Sequence, residues 1–300
     1  MDAGPAGTDG AGRGGERMRV RVNGTELWFD VDGPGLVPDG RRMRRRPTVL
    51  AVHGGPGGYD HSYLAAHFAP LTAHAQVVYL DLRGHGRSAR TPVPDWTFEA
   101  CADDLAAFCD TVGIADPVVL GHSLGGCIAL LYAARHPDHP AGLVLQSTMA
   151  RFDLDRISAG FARVAGADVA ALARRDYGGD PVTDEEWSRV FAAFGPRVPD
   201  ADELARRVRN PELGEHGMAL LRRFDAVDQL ARIRCPVLVC VGREDAVTPV
   251  EAAREIADHL DPATTRLALL DDTGHFPWLD HPDRYWPLLT GWLAENGARG

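Results

Sequence analysis

The chain has 300 residues, 45% of them hydrophobic, and carries 42 acidic against 32 basic side chains for a formal net charge of −10. That length buries one large core, and a single α/β domain with an insertion fits it better than two equal domains. The acidic balance disfavours nucleic acid as a partner, because phosphate binding needs clustered positive charge. Every basic residue is arginine, so Schiff-base lysines, Ser-Lys dyads, P-loop lysines and lysine-anchored pyridoxal phosphate are excluded.

Residues 1–17 are rich in Gly, Ala and Asp and contain no apolar core, which predicts a disordered leader rather than a signal peptide or anchor. No apolar run approaches membrane-spanning length, so the expectation is a soluble cytoplasmic protein with no membrane partner. The turn-rich segment 32–40 leads into Arg41, Arg42, Arg44, Arg45 and Arg46. A polyanion site is one reading; a solvated loop between strands is preferred, since five arginines at a turn face water at little cost. Thr48-Val49-Leu50-Ala51-Val52 reads as a buried strand that ends in His53-Gly54-Gly55-Pro56-Gly57-Gly58, whose glycines let backbone amides face a ligand. A second buried strand, Gln76-Val77-Val78-Tyr79-Leu80, runs into Asp81-Leu82-Arg83-Gly84-His85-Gly86-Arg87-Ser88.

The most informative stretch follows. Pro117-Val118-Val119-Leu120 is a strand, Cys127 to Ala134 is a helix, and between them stands Gly121-His122-Ser123-Leu124-Gly125. A serine on so sharp a strand-to-helix turn is a nucleophile elbow: its glycines tolerate close backbone approach, and its hydroxyl stands exposed beside a helix N-terminus. After the strand Leu143-Val144-Leu145-Gln146 the rhythm breaks. Residues 150–228 show helical patterns at 157–164, 185–194 and 201–208 with no good buried strand, predicting a helical insertion between core segments 18–149 and 229–300, which the resemblance given below identifies as a cap. Its aromatics Phe152, Phe161, Tyr177, Trp187, Phe191, Phe194 and Phe224 read first as the cap's own small core and second as pocket lining.

A serine hydroxyl needs a base, and the base needs an acid to hold its tautomer. The strand from Pro236 to Gly242 ends just before Arg243-Glu244-Asp245, and the strand Leu267-Ala268-Leu269-Leu270 leads into Asp271-Asp272-Thr273-Gly274-His275. A final amphipathic helix starts near His281. Ser123, Asp245 and His275 are therefore the candidate triad, with Glu244 and Asp272 as second choices for the acid. The oxyanion donors expected are the Leu124 and Gly55 amides, with Gly54 the near alternative. His53, His85 and His122 cluster near this site and read as loop-ordering residues. Trp278 reads as packing beneath the catalytic loop. Five scattered cysteines read as buried thiols of a reducing compartment, and Cys127 sits inside a helix rather than at a nucleophile's position. No H-E-x-x-H or i,i+4 histidine pair offers a metal site, and the chemistry calls for neither cofactor nor metal.

HGGPGG at 53–58, DLRGHGRS at 81–88, GHSLGG at 121–126, GREDAVTP at 242–249 and TGH at 273–275 together resemble the α/β-hydrolase superfamily over roughly residues 18 to 297. The HGGPGG form is similar to the proline iminopeptidase (S33 peptidase) branch. GHSLGG is the ordinary form of esterases, lactonases and C–C bond hydrolases, and Leu124 stands where the peptidase branch carries a bulky aromatic. The resemblance implies an α/β-hydrolase fold: a mainly parallel eight-stranded sheet flanked by helices, with a helical cap. It implies a serine hydrolase acting on a small ester or lactone through an acyl-enzyme. The same scaffold also serves proline iminopeptidase-like aminopeptidases, cofactor-free perhydrolases, C–C bond hydrolases and non-catalytic small-molecule receptors. A small molecule is the expected partner; the sequence leaves the oligomeric state open.

Overall fold

The computed structural model describes residues 18–297; the expected leader, 1–17, lies outside them. Strands β1 (Arg19–Val22), β2 (Thr25–Asp32), β5 (Thr48–Val52), β6 (Gln76–Leu80), β7 (Val118–His122), β8 (Gly142–Gln146), β9 (Val237–Gly242) and β10 (Thr265–Leu270) form one eight-stranded sheet. Their order is β1-β2-β6-β5-β7-β8-β9-β10. The β1–β2 and β2–β6 pairs are antiparallel, and every pairing from β6 to β10 is parallel. The central strands read as continuous Val/Leu/Ala runs because a parallel sheet is covered on both faces; Leu50, Val119, Leu120 and Leu143 are fully buried.

Register brings the loops together. Val52, the last residue of β5, lies opposite Leu80 on one side and Gly121 on the other. The chains leaving β5, β6 and β7 therefore emerge side by side at the carboxyl edge of the sheet, where ligand sites of open α/β sheets form.

The basic segment departs from the expectation of a loop. β3 (Leu36–Asp39) and β4 (Arg42–Arg45) pair antiparallel as a separate hairpin, with Asp39 opposite Arg42. Gly40, at φ +60°, opens its two-residue turn, a conformation that costs glycine little.

The helices are α1 (Ser62–Ala65), α2 (Phe98–Val112), α3 (Leu124–Arg135), α4 (Leu154–Ala165), α5 (Ala167–Gly178), α6 (Asp184–Ala192), α7 (Ala201–Arg206), α8 (Pro211–Leu221), α9 (Val250–Asp258), α10 (Pro277–Asp280) and α11 (Pro282–Asn296). α3 is apolar all round because it is covered all round: it packs against α2, β7, β8 and the segment Val227–Arg232, and Leu124 through Ala134 are all buried. Helices α4 to α8 follow one another between β8 and β9. Short polar side chains start four of them: Asp153 accepts from Arg156 N–H, Asn210 from Leu213 N–H, and Thr183 and Asp200 make reciprocal capping boxes with Glu186 and Glu203.

Leu50 lies at the centre of this sheet, so Leu50→Ala should lower unfolding stability by about 2–5 kcal/mol. Urea denaturation measures it; a loss under about 1 kcal/mol would show that β5 is not in a packed core.

Candidate active site

Ser123 sits between β7 and α3 at φ +55°, ψ −122°, outside the regions a side chain adopts without strain. The turn is held from both ends. Ser123 N–H donates to Gln146 O at 3.0 Å, and the Thr148 hydroxyl donates to Ser123 O at 2.7 Å. Its flanking glycines have no room for a side chain: a Cβ on Gly121 would lie 2.3 Å from Gly125 O, and one on Gly125 would lie 2.3 Å from Val52 O.

His275 and Asp245 come from the loops after β10 and β9. Asp245 Oδ2 lies 2.9 Å from His275 Nδ1. The carboxylate is fully buried and its oxygens are occupied: Oδ1 accepts from Val247 N–H at 2.9 Å and Thr248 N–H at 2.8 Å, and Oδ2 also accepts from the Thr248 hydroxyl at 2.8 Å. This fixes the carboxylate plane and directs Oδ2 at the imidazole. Glu244 and Asp272, the second choices, are exposed. The histidine loop is held in turn by His275 N–H donating to Phe194 O at 2.7 Å and by Gly274 N–H donating to Asp280 Oδ2 at 2.8 Å.

Three more buried histidines brace the site, each through one donor and one acceptor. His53 Nδ1–H donates to Gly54 O at 2.6 Å while Nε2 accepts from Leu82 N–H at 3.2 Å. His85 Nδ1–H donates to Arg83 O at 3.0 Å while Nε2 accepts from Gly57 N–H at 2.9 Å. His122 Nε2–H donates to His275 O at 2.9 Å, and its Nδ1 accepts from the Tyr63 hydroxyl at 2.7 Å. Tyr63 in turn accepts Gly54 N–H at 2.8 Å. This last chain ties the 53–58 loop, the residue before Ser123 and the His275 loop together. It also engages the Gly54 amide, the near alternative to Gly55. Leu124 is the first residue of α3, where amides lack intrahelical partners, and both Gly55 and Leu124 line the cavity over Ser123. Trp278 packs edge-on against the His122 ring at 4.9 Å.

Burial sets the charge state of these rings. It pushes His53 below its ordinary value and His122 well below, the latter also under the influence of His275. It takes His85 from 6.5 down to about 3. Cys127 also lines the cavity, but burial pushes its thiol up to about 11, so it remains a thiol and donates to Met149 O at 3.3 Å.

Asp60, His61 and Asp81 approach one another closely enough to consider a metal. Their oxygens already serve the protein. Asp60 accepts from Ser62 and Val208, and Asp81 accepts from the His61 amide and ring and from Arg87 N–H. The cluster is a hydrogen-bonded brace for the 81–88 turn, and Gly86 lets that turn close over Asp81, whose Oδ2 would lie 2.2 Å from a Cβ there.

A cavity of about 450 Å³ covers Ser123 and His275, within the range of small-ligand sites. The segment from α4 to α8 roofs it. Tyr177, Trp187, Phe191 and Phe194 line it; Phe152, Phe161 and Phe224 do not. None of the α6–α8 glutamates Glu185, Glu186, Glu203, Glu212 and Glu215 lines it either. The acids that do are Asp176 and Asp184, the first with its carboxyl pushed up by burial against the opposing pull of Arg222. The roof meets each of the three loops at backbone distance. A Cβ on Gly57 would lie 2.4 Å from Gly214 N, one on Gly274 would lie 2.2 Å from Gly195 Cα, and one on Gly160 would lie 2.6 Å from Ala246 O.

Comparison with known proteins agrees with this geometry. The α/β hydrolase fold family matches residues 47–282, and the chain belongs to that family. A pimeloyl-(acyl-carrier protein) methyl ester esterase of Chromobacterium violaceum is 32% identical over 243 residues, covering 78% of this chain and 89% of its own. The proline iminopeptidase PfmaB of Pestalotiopsis fici is 26% identical over 273 residues, covering 85% of this chain and 92% of its own. Among solved structures, VinJ superposes with a TM-score of 0.75 at 25% identity over 94% of this chain and 99% of its own. The protein is thus an α/β hydrolase with esterase and peptidase relatives. Among the described residues no helix is long and apolar enough to cross a membrane.

The neutral histidines carry a pH signature. Between about pH 6.5 and about pH 3 the unfolded chain binds a proton that folded His85 does not. Stability is therefore complete above the unfolded value and falls as the pH drops. His85→Gln should flatten the slope of unfolding free energy between about pH 4 and pH 6 by up to about 1.4 kcal/mol per pH unit. Urea titrations across that range test this, and an unchanged slope would show that His85 is not buried neutral.

Proposed function

We propose that the protein is a serine hydrolase acting on a small ester or lactone, of the carboxylic-ester-hydrolase type. The observation that carries this reading is the oriented Asp245–His275 pair at 2.9 Å, whose histidine shares one cavity with a serine held on a strained elbow. In the proposed sequence His275 Nε2 takes the Ser123 proton as Oγ attacks the carbonyl carbon. Asp245 holds the other ring nitrogen and stabilises the imidazolium, while the Leu124 and Gly55 amides receive the oxyanion. The tetrahedral species collapses, the alcohol leaves with the proton from His275, and water repeats the steps on the acyl-serine. No step requires a cofactor or metal.

An ester is preferred over an N-terminal prolyl amide. An iminopeptidase must hold a protonated amine, and a buried, ionised carboxylate is the simple means. Burial pushes the Asp176 carboxyl up against the pull of Arg222, Asp184 is exposed, and Leu124 offers no aromatic surface beside the serine.

Ser123→Ala should reduce hydrolysis of p-nitrophenyl butyrate by at least about 10³-fold while leaving the melting temperature near that of the wild type. Retention of more than about a tenth of the activity would overturn the assignment of the nucleophile. Asp245→Asn should be strongly impaired, whereas Glu244→Gln and Asp272→Asn should be close to wild type. The reverse pattern would move the acid to one of those two residues.

A further inference from the structure

The roof contributes two cations to the cavity and gives neither a counter-ion. Residues 207–210 run between α7 and α8 with Arg207 extended (φ −66°, ψ 138°). They are pinned to the floor: Val208 N–H donates to Asp60 Oδ2 at 2.8 Å, and Asn210 N–H donates to Gly57 O at 2.7 Å. Arg207 and Arg209 both line the cavity. The Arg207 guanidinium lies 4.3 Å from the Tyr59 ring centroid, and its Nε donates to Leu204 O at 3.0 Å.

Neither arginine has an ion-pair partner among the described residues. Burial pushes the Tyr59 phenol up to about 12, so it stays neutral. Asp60 attracts Arg207 through space, but its oxygens accept from Ser62 and Val208 rather than from a guanidinium. Among the described residues no carboxylate lies within ion-pairing distance of Arg207 or Arg209, and this includes Asp176 and Asp184 on the same cavity wall. A guanidinium cannot shed its proton to relieve this. Arg207, partly buried and stacked on Tyr59, and the exposed Arg209 both line the cavity, and two guanidinium groups so placed form a fork suited to a planar anion.

We propose that the substrate carries a carboxylate, which Arg207 and Arg209 hold while the ester carbonyl lies against Ser123. The inference rests on the serine-hydrolase reading. Tyr59 lies on the same loop as Gly55, so the carboxylate and the scissile carbonyl belong to one short molecule, such as the half-ester of a small dicarboxylic acid. Hydrolysis of a half-ester breaks the acyl C–O bond, adds the hydroxyl of water to the acyl carbon and sends the remaining proton to the departing alkoxide; the products are a dicarboxylate and an alcohol.

Two measurements test it. The first compares kcat/KM, by alcohol release, for monoethyl succinate, glutarate and adipate against neutral ethyl esters of equal length. At least one half-ester should be preferred by about tenfold or more. Arg207→Gln and Arg209→Gln should each reduce that preference about fivefold or more, chiefly through KM, and Arg207→Lys should retain part of it. The second is calorimetric titration of glutarate into Ser123→Ala, where binding should be seen and should be lost when Arg207→Gln is added. Equal use of half-esters and neutral esters, or a preference that survives both arginine changes, overturns the carboxylate site and leaves the hydrolase reading intact. Glutarate binding that depends on Arg207, with no ester turned over, overturns the hydrolase reading and leaves the anion site intact.

Discussion

The site depends on a backbone contact that admits no side chain. The first turn of α3 lies so close to the end of β5 that a Cβ on Gly125 would sit 2.3 Å from Val52 O and 2.5 Å from His53 O. This approach sets the sharp reversal at Ser123 and its positive φ. It also places the start of the 53–58 loop beside the leading amides of α3. Gly55 and Leu124, from segments far apart in the chain, thereby line one cavity.

The same economy of space governs the roof. Gly57 against Gly214, Gly274 against Gly195 and Gly160 against Ala246 seat it on the loops that carry Gly55, His275 and Asp245. The contacts are backbone to backbone, so the roof's position is coupled to the geometry beneath it. His122 performs a related task from below, since one neutral ring passes a hydrogen-bonded path from Gly54 through Tyr63 to His275 O. A charged imidazole would have two donors and no acceptor, and Tyr63 could not donate to it. Burial is thus what keeps the path intact.

Much of this was legible in the sequence because the residues concerned end strands. Ser123, Asp245 and His275 each follow an apolar run at the edge where parallel strands deliver their loops; the structure pairs Asp245 with His275 and sets Ser123 and His275 on one cavity. The hairpin at 36–45 was read as a loop because its strands are arginine-rich and exposed, without the alternation that marks a half-buried strand. Helices α5 and α8 begin at Gly166 and Pro211, residues that read equally well as breaks. The bracing residues were illegible for a different reason. Tyr63, Asp280 and Asn210 act through partners 59, 83 and 126 residues away, and no local pattern records such a contact. Arg207 and Arg209 look like any polar helix end until the fold places both on the cavity wall, Arg207 over Tyr59.

The account's central claim is that Ser123, activated by His275, becomes acylated. Reaction with a fluorophosphonate followed by peptide mass spectrometry tests it most directly. The account predicts one adduct per chain on the peptide containing Ser123, with labelling much slower in His275→Ala. Modification at another residue, or labelling at Ser123 that proceeds as fast without His275, would contradict it.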